Sequence, residues 1–283
     1  MAVAEAPRAA ALPRLDVTWA AAGALAPVTD SLTDAYGGTP RFPEPRSDRP
    51  AVIANFVSTL DGVVSYATPE AAGGGEVSGF FGPDRFVMGL LRAHADAVLV
   101  GAGTVRAAPS ERWTPADVYP HGADAFATIR RARSLPPQPT TVVMTASGGL
   151  DPMHPGLCSP DTPVLLAHTS TNEPMGFAAN VENLRVTGAT DLLRTLCARG
   201  VRLLLCEGGP HLLAQLLRLG AVDELFLTVA PQIAGRTAEQ PRLALAEGEA
   251  FNVADAPWWR LQSLHRVGSH LFLRYAHEGP KGE

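Results

Sequence analysis

The sequence predicts an α/β fold with a mixed, mostly parallel sheet, helices on both faces and a C-terminal antiparallel hairpin. Three observations carry the prediction. Short apolar runs, AVIANFVS (51–58), DAVLVG (96–101), TTVVMT (140–145), TPVLLAH (162–168) and VRLLLC (201–206), each stop at a polar or glycine-rich turn. Segments with helical spacing of apolar residues alternate with several of them. Near the end, RLQSLHRV and HLFLRYAHE flank Gly268-Ser269, a two-residue turn pair that joins antiparallel strands.

Taken in order, residues 1–50 are rich in Ala, Pro and Arg and read as an N-terminal extension with at most a short helix. The folded domain is expected over 51–276, with 277–283 as a tail. After the first strand come the turn Leu60-Asp61-Gly62, the run VVSYA and the glycines 73–75. GPDRFVMGLLRAHA carries Pro83 in a first-turn position and an apolar stripe at Phe86, Val87, Leu90 and Leu91, which predicts a helix. The proline-rich connection 107–138 reads as surface loop with some helix around 123–133. TDLLRTLCARG is a helix with Thr190 as its expected cap and Gly200 as its stop. PHLLAQLLRLG places Leu212, Leu213, Leu216 and Leu217 on one face, and DELFLTVAP is the next strand, with Asp223-Glu224 expected as a solvated pair at its start.

Composition excludes several chemistries. The chain of 283 residues has a formal charge of -5, which gives no basic footprint for nucleic acid. Among its 23 basic residues, Lys281 is the only lysine, which argues against P-loop, pyridoxal-phosphate and Schiff-base chemistry. Cys158, Cys197 and Cys206 lack C-x-x-C spacing, and the histidines show no metal-ligand pattern, so no metal is expected. The apolar stretch 19–28 falls far below the ~20 residues of a membrane helix. These features predict a soluble, cytoplasmic protein with a small-molecule substrate, and no nucleic-acid or membrane partner.

In parallel sheets ligands gather where strands end, because turns and helix N-termini present free N–H groups there. The ends here are Asp61-Gly62, Gly101-Ala-Gly-Thr104, the turn around Ser147, His168-Thr169-Ser170 and Glu207-Gly208-Gly209. GAGTVR puts Arg106 where a dinucleotide fingerprint needs a third glycine, so the Rossmann reading fails; a tight turn or a phosphate partner at Arg106 both stay open. Asp61 is a turn residue or a ligand. Glu207 is either a cap for the Gly208 and Gly209 amides or a carboxylate of the site.

VSTLDGVVS, LRAHADAVLVGAGTVRA, the long block LLLCEGGPHLLAQLLRLGAVDELFLTVAPQIAGR and the closing hairpin occur in the order that resembles one family. This is the reductase domain of the riboflavin-pathway deaminase-reductase, within the dihydrofolate-reductase-like superfamily, over roughly residues 50–276. No H-x-E or P-C-x-x-C stretch of the zinc deaminase half occurs. The resemblance implies the three-layer fold of that superfamily, a homodimer, and NADPH as hydride donor. It implies Thr59, Gly101, Thr104, Val105, Ser147, Gly208 and Gly209 at the cofactor, with Asp61 and Glu207 as candidate catalytic carboxylates. Asn55 stands at the substrate end where the family has a lysine, and Ala108-Pro109-Ser110 replace an Asp-Asp-Pro. The implied activity is NADPH-dependent reduction of a pyrimidine- or pterin-type heterocycle, led by 5-amino-6-(5-phosphoribosylamino)uracil. A dihydrofolate-like reductase and a nucleotide-binding protein without its substrate residues are the alternatives.

Overall fold

The computed structural model describes residues 12–27, 30–68 and 73–279. Ten strands form the main sheet: β1 (Asp16–Ala20), β2 (Ala51–Ser58), β3 (Ala97–Gly101), β4 (Thr140–Thr145), β5 (Val164–His168), β6 (Val181–Arg185), β7 (Leu203–Cys206), β8 (Glu224–Val229), β9 (Trp258–Val267) and β10 (His270–Gly279). Their order is β1-β9-β10-β8-β2-β7-β3-β4-β5-β6. From β8 through β2 and β7 to β6 every pairing is parallel, while β8/β10, β10/β9 and β9/β1 are antiparallel. The mixed sheet and closing hairpin are those the sequence predicts.

Burial on both faces explains why the central strands read as unbroken apolar runs. Ile53, Val98, Val143 and Leu205 point to one core, and their neighbours Val52, Leu99, Val142 and Leu204 point to the other. The first core is covered by α1 (Gly82–His94), through Phe86, Val87, Leu90 and Leu91, and by Trp113 and Phe126. On the opposite face lie α4 (Ala189–Ala198) and α5 (Pro210–Arg218), after α2 (Ala102–Ala107) and α3 (Ala123–Ala132) in chain order. Leu192, Leu193 and Leu196 of α4 and Leu212, Leu213 and Leu216 of α5 fill that core. Each such leucine contributes roughly 1.5–3 kcal/mol on burial.

Local chemistry sets the helix limits. Pro83 and Pro210 open α1 and α5, where a missing N–H costs nothing, and Arg92 sits in the last turn of α1, a cation at the negative end of the helix dipole. Gly188, not Thr190, is the N-cap of α4; Thr190 lies inside its first turn because Asp191 already receives the Thr187 amide. Strand β6 carried no sequence signal: it is an edge strand of mostly exposed or half-buried residues.

The segment before Ala51, expected as an extension, contributes edge strand β1, a helix at Ser31–Tyr36 and the core residues Leu15, Leu32 and Tyr36. Asp223 and Glu224 are not solvated. Arg49 clamps Asp223 with two bonds of 2.6 and 2.7 Å, and the buried Arg274 pairs with Glu224 at 2.8 Å while also donating to Ala24 O. Their partners lie 174 and 50 residues away, beyond any local pattern. Among the described residues, no helix is long and apolar enough to cross a membrane.

Candidate active site

Two adjoining cavities open where the parallel strands end, and they share Ser65, Thr104, Ala107, Gly209 and Pro210 as a common wall. The larger, about 790 Å³, lies over the ends of β3 and β4 and the starts of α2 and α5. Its wall contains glycines, hydroxyls and the side chains of Arg106 and His211, with no Asp or Glu among the described residues that line it. An arginine in a wall whose described residues carry no carboxylate suits an anionic ligand.

Backbones meet closely beneath this cavity. Gly101 N donates to Gly208 O at 2.6 Å, and a Cβ on Gly101 would stand 3.6 Å from Gly209 N. Gly208 has φ +94°, and a Cβ there would fall 2.9 Å from the Phe56 ring. Only glycine meets both demands without strain. The Gly208-Gly209 peptide is cis.

Of the residues expected at the cofactor, Gly101, Thr104, Arg106 and Gly209 line the larger cavity. Gly208 lies behind that wall through its bond to Gly101. Val105 is packed into the core, and at the β4 turn Thr145 and Ala146 reach the cavity where Ser147 does not. Thr59 is buried below the turn, donating to Asp61 Oδ1 at 2.5 Å.

The second cavity, about 530 Å³, is charged. Asn55, expected at the substrate end, lines it together with Asp84, Arg85, Arg92, Glu111 and Glu207. Glu207 is held by the fully buried Arg92, whose Nη2 lies 2.7 Å from Oε2 and whose Nε lies 2.9 Å from Oε1. Arg92 also donates to Glu111 Oε1 at 2.9 Å and to the carbonyls of Arg112 and Thr114. Its carboxylate partners raise the guanidinium pKa against the opposing effect of burial, so the group stays charged. Both carboxylate oxygens of Glu207 thus accept charge-assisted hydrogen bonds.

Asp84 differs in every respect. It stands in the first turn of α1, buried, and burial pushes its carboxyl up to about 6. The neighbouring Thr228 and Ser78 hydroxyls and Arg85 pull the other way, while Glu207 adds to the rise. A carboxyl that titrates close to neutrality inside a cleft is equipped for proton transfer.

Asp61 lines neither cavity. Its carboxylate accepts from Thr59 Oγ1, from Ala234 N at 3.1 Å and from Gly235 N at 2.8 Å. These bonds, the Thr59 hydroxyl foremost, hold its carboxyl down at about 2. Asp84 and Arg92 were missed at the sequence level because both sit in a stretch that reads as an amphipathic helix. The available signal was an acid directly after Pro83 and an arginine directly after the buried Leu90-Leu91 pair.

The model of the RibD C-terminal domain matches residues 50–273. The chain belongs to this family. It is 28% identical over 239 residues to the 2,5-diamino-6-ribosylamino-4(3H)-pyrimidinone 5′-phosphate reductase of Methanothermobacter thermautotrophicus, covering 82% of this chain and 100% of that protein. It is 28% identical over 248 residues to the riboflavin biosynthesis protein RibD of Haemophilus influenzae, where the match covers 84% of this chain but only 60% of the relative. A crystal structure of the diaminohydroxyphosphoribosylaminopyrimidine deaminase/5-amino-6-(5-phosphoribosylamino)uracil reductase of Thermotoga maritima superposes with TM-score 0.62 at 21% identity, over 81% of this chain and 57% of that one. That likeness shows a shared fold. Family membership sets the chain among riboflavin-biosynthesis reductases, so it is an oxidoreductase.

Proposed function

We propose that this protein is an NADPH-dependent reductase of a pyrimidine-type heterocycle, acting on 5-amino-6-(5-phosphoribosylamino)uracil or a close relative of it. The observation that supports this most is the joining of the two cavities: one lined by glycines and Arg106, with no carboxylate among the described residues, shares a wall with one that holds Asp84. Gly101, Thr104 and Gly209 would take the cofactor's pyrophosphate, since bare backbone approaches phosphate closely, and Arg106 suits a 2′-phosphate. When bound, a reduced nicotinamide supplies the hydride.

The protein's own part is binding, orientation and the proton. Asp84 is the proton source, protonated below about pH 6 and set against the substrate cavity. Arg92 and Glu207 fix the floor of that cavity. Arg85 lines it with no ion-pair partner among the described residues, which suits the phosphate of a ribosyl chain. Asn55 offers both a donor and an acceptor to a heterocycle edge. Dimerisation follows from the family resemblance, and light scattering on the purified protein tests it.

The decisive assay follows loss of reduced-nicotinamide absorbance with the phosphoribosylaminouracil and, separately, with a dihydropterin. Turnover of the first alone is the expected result, and turnover of the pterin alone moves the substrate. A second reading, a nucleotide-binding protein, draws on Asn55 and Ala108-Pro109, where the family's charges are absent. Calorimetric binding of NADPH without turnover of either compound would establish it.

A further inference from the structure

Phe80 holds a backbone conformation that a bulky side chain avoids. Its φ is +53°, and the other non-glycine residues with positive φ among those described, Ala67 and Ser134, are small. The left-handed region crowds Cβ against the following carbonyl, so such a residue is strained unless its surroundings hold it there. Here the hold is local. The short helix Gly74–Ser78 ends on Gly79, itself at φ +67°, and Phe80 N donates to Gly75 O at 2.7 Å. The ring lies against the Gly75 backbone, where a Cβ would stand 2.7 Å from Phe80 Cε1.

Packing does not explain the strain. Phe80 is 57% exposed, whereas the next residue, Phe81, packs on the core and stacks on His270 with ring centroids 3.9 Å apart. The exposed ring instead lines the substrate cavity together with Arg85, whose guanidinium carbon lies 5.6 Å from the ring centroid. Glycine or asparagine at position 80 would meet the backbone demand with less strain. Strain kept at the edge of a cavity, without matching burial, marks a residue held for a ligand.

We propose that Phe80 is the surface on which the substrate's heterocycle stacks, with Arg85 beside it set for the anionic chain that the ring carries. An aromatic face accepts a flat ring, and the guanidinium next to it accepts an anion. The pair therefore selects a flat ring joined to an anion over either part alone. A ribosylaminopyrimidine phosphate has that form, and its free base does not. Phe80 in this role deepens the reductase reading above, and the identity of the ring rests on that reading.

Calorimetry with 5-amino-6-(5-phosphoribosylamino)uracil in the absence of nucleotide reads the site without turnover. Phe80→Leu keeps an apolar side chain but no flat face, and Phe80→Gly also removes the strain. Each should weaken this binding about tenfold and raise KM by a similar factor, with kcat held within about twofold and NADPH affinity unchanged. Phe80→Tyr should retain wild-type binding. Ribose 5-phosphate, which has no flat ring, should bind all of these proteins alike. The urea midpoint of Phe80→Gly should be no lower than that of the wild type; a fall would make the ring a packing residue and overturn the proposal. Unchanged pyrimidine binding in Phe80→Leu, or an equal loss in Phe80→Tyr, also overturns it. So does loss of a dimer in light scattering with binding unchanged, which places the ring under a second copy of the chain. Weakened binding in the variants of a protein that reduces nothing leaves Phe80 at the ring and removes the reductase reading. Turnover with an unchanged KM in the variants does the reverse, and a wild type that does not bind the pyrimidine sinks both.

Discussion

Arg92 on α1 and Glu207 at the end of β7 are locked together by Nη2–Oε2 and Nε–Oε1 bonds of 2.7 and 2.9 Å, across 115 residues of sequence. The arginine side chain is wholly buried and that of the glutamate is 5% exposed. Removing one member leaves the other charge buried and unpaired. Arg92→Met is expected to cost about 3–5 kcal/mol of stability in urea unfolding, and Glu207→Leu in the same background to restore part of it. A pair that merely decorates the surface would give about 1 kcal/mol or less.

Asp84→Asn tests a stability effect separate from catalysis. The folded carboxyl titrates at about 6 against an ordinary 3.8, so the native state holds its proton over that interval while the unfolded chain has lost it. Stability is therefore fully present below the unfolded value and is lost as pH rises through about 6. The asparagine variant should gain on the wild type by up to about 3 kcal/mol between pH 4 and 7. In turnover the same change should cost roughly 10²–10⁴-fold and abolish the basic limb of the pH profile.

His265 works in the opposite sense. It is buried, its ring 4.6 Å from Tyr36, with neither nitrogen bonded, and burial followed by the Arg274 charge lowers its pKa to about 4. The unfolded chain then binds a proton that the native state refuses, so stability is present above pH 6.5 and lost as pH falls toward 4. His265→Phe should flatten this acid loss by up to about 3 kcal/mol in denaturant midpoints measured across that range. His94, also lowered to about 4 by burial, retains its share.

Arg106 lines the larger cavity and, among the described residues, makes only a 3.4 Å contact with Gly149 O. Arg106→Ala is expected to weaken NADPH binding by about 1.5–3 kcal/mol, ten- to a hundredfold, while NADH binding changes far less. Equal losses for both nucleotides in calorimetry would place the guanidinium on a phosphate they share.

How much of the site was legible depended on whether its signal was local. Gly101, Gly208 and Gly209 announced themselves, because a strand that stops at glycine shows in a few letters. Glu207 was also visible, yet its role was not: nothing in LLLCEGGP names an arginine on another helix. Asp61 looked like a candidate for chemistry through its motif, and its bonds to Ala234 and Gly235 show a residue that braces a loop 173 and 174 positions away. Asp84 was hidden because an acid after a helix-opening proline has an ordinary explanation in the helix dipole.

By itself the sequence determined the alternation of strands and helices, the closing hairpin and the glycine turns that mark the ligand edge, since periodicity and turn chemistry act over a few residues. The tertiary structure decided which carboxylates are paired, which is left to titrate, and that the segment before Ala51 completes the sheet. Those outcomes depend on burial and on partners brought together from distant parts of the chain, and a charge acquires its working pKa only once its surroundings are assembled.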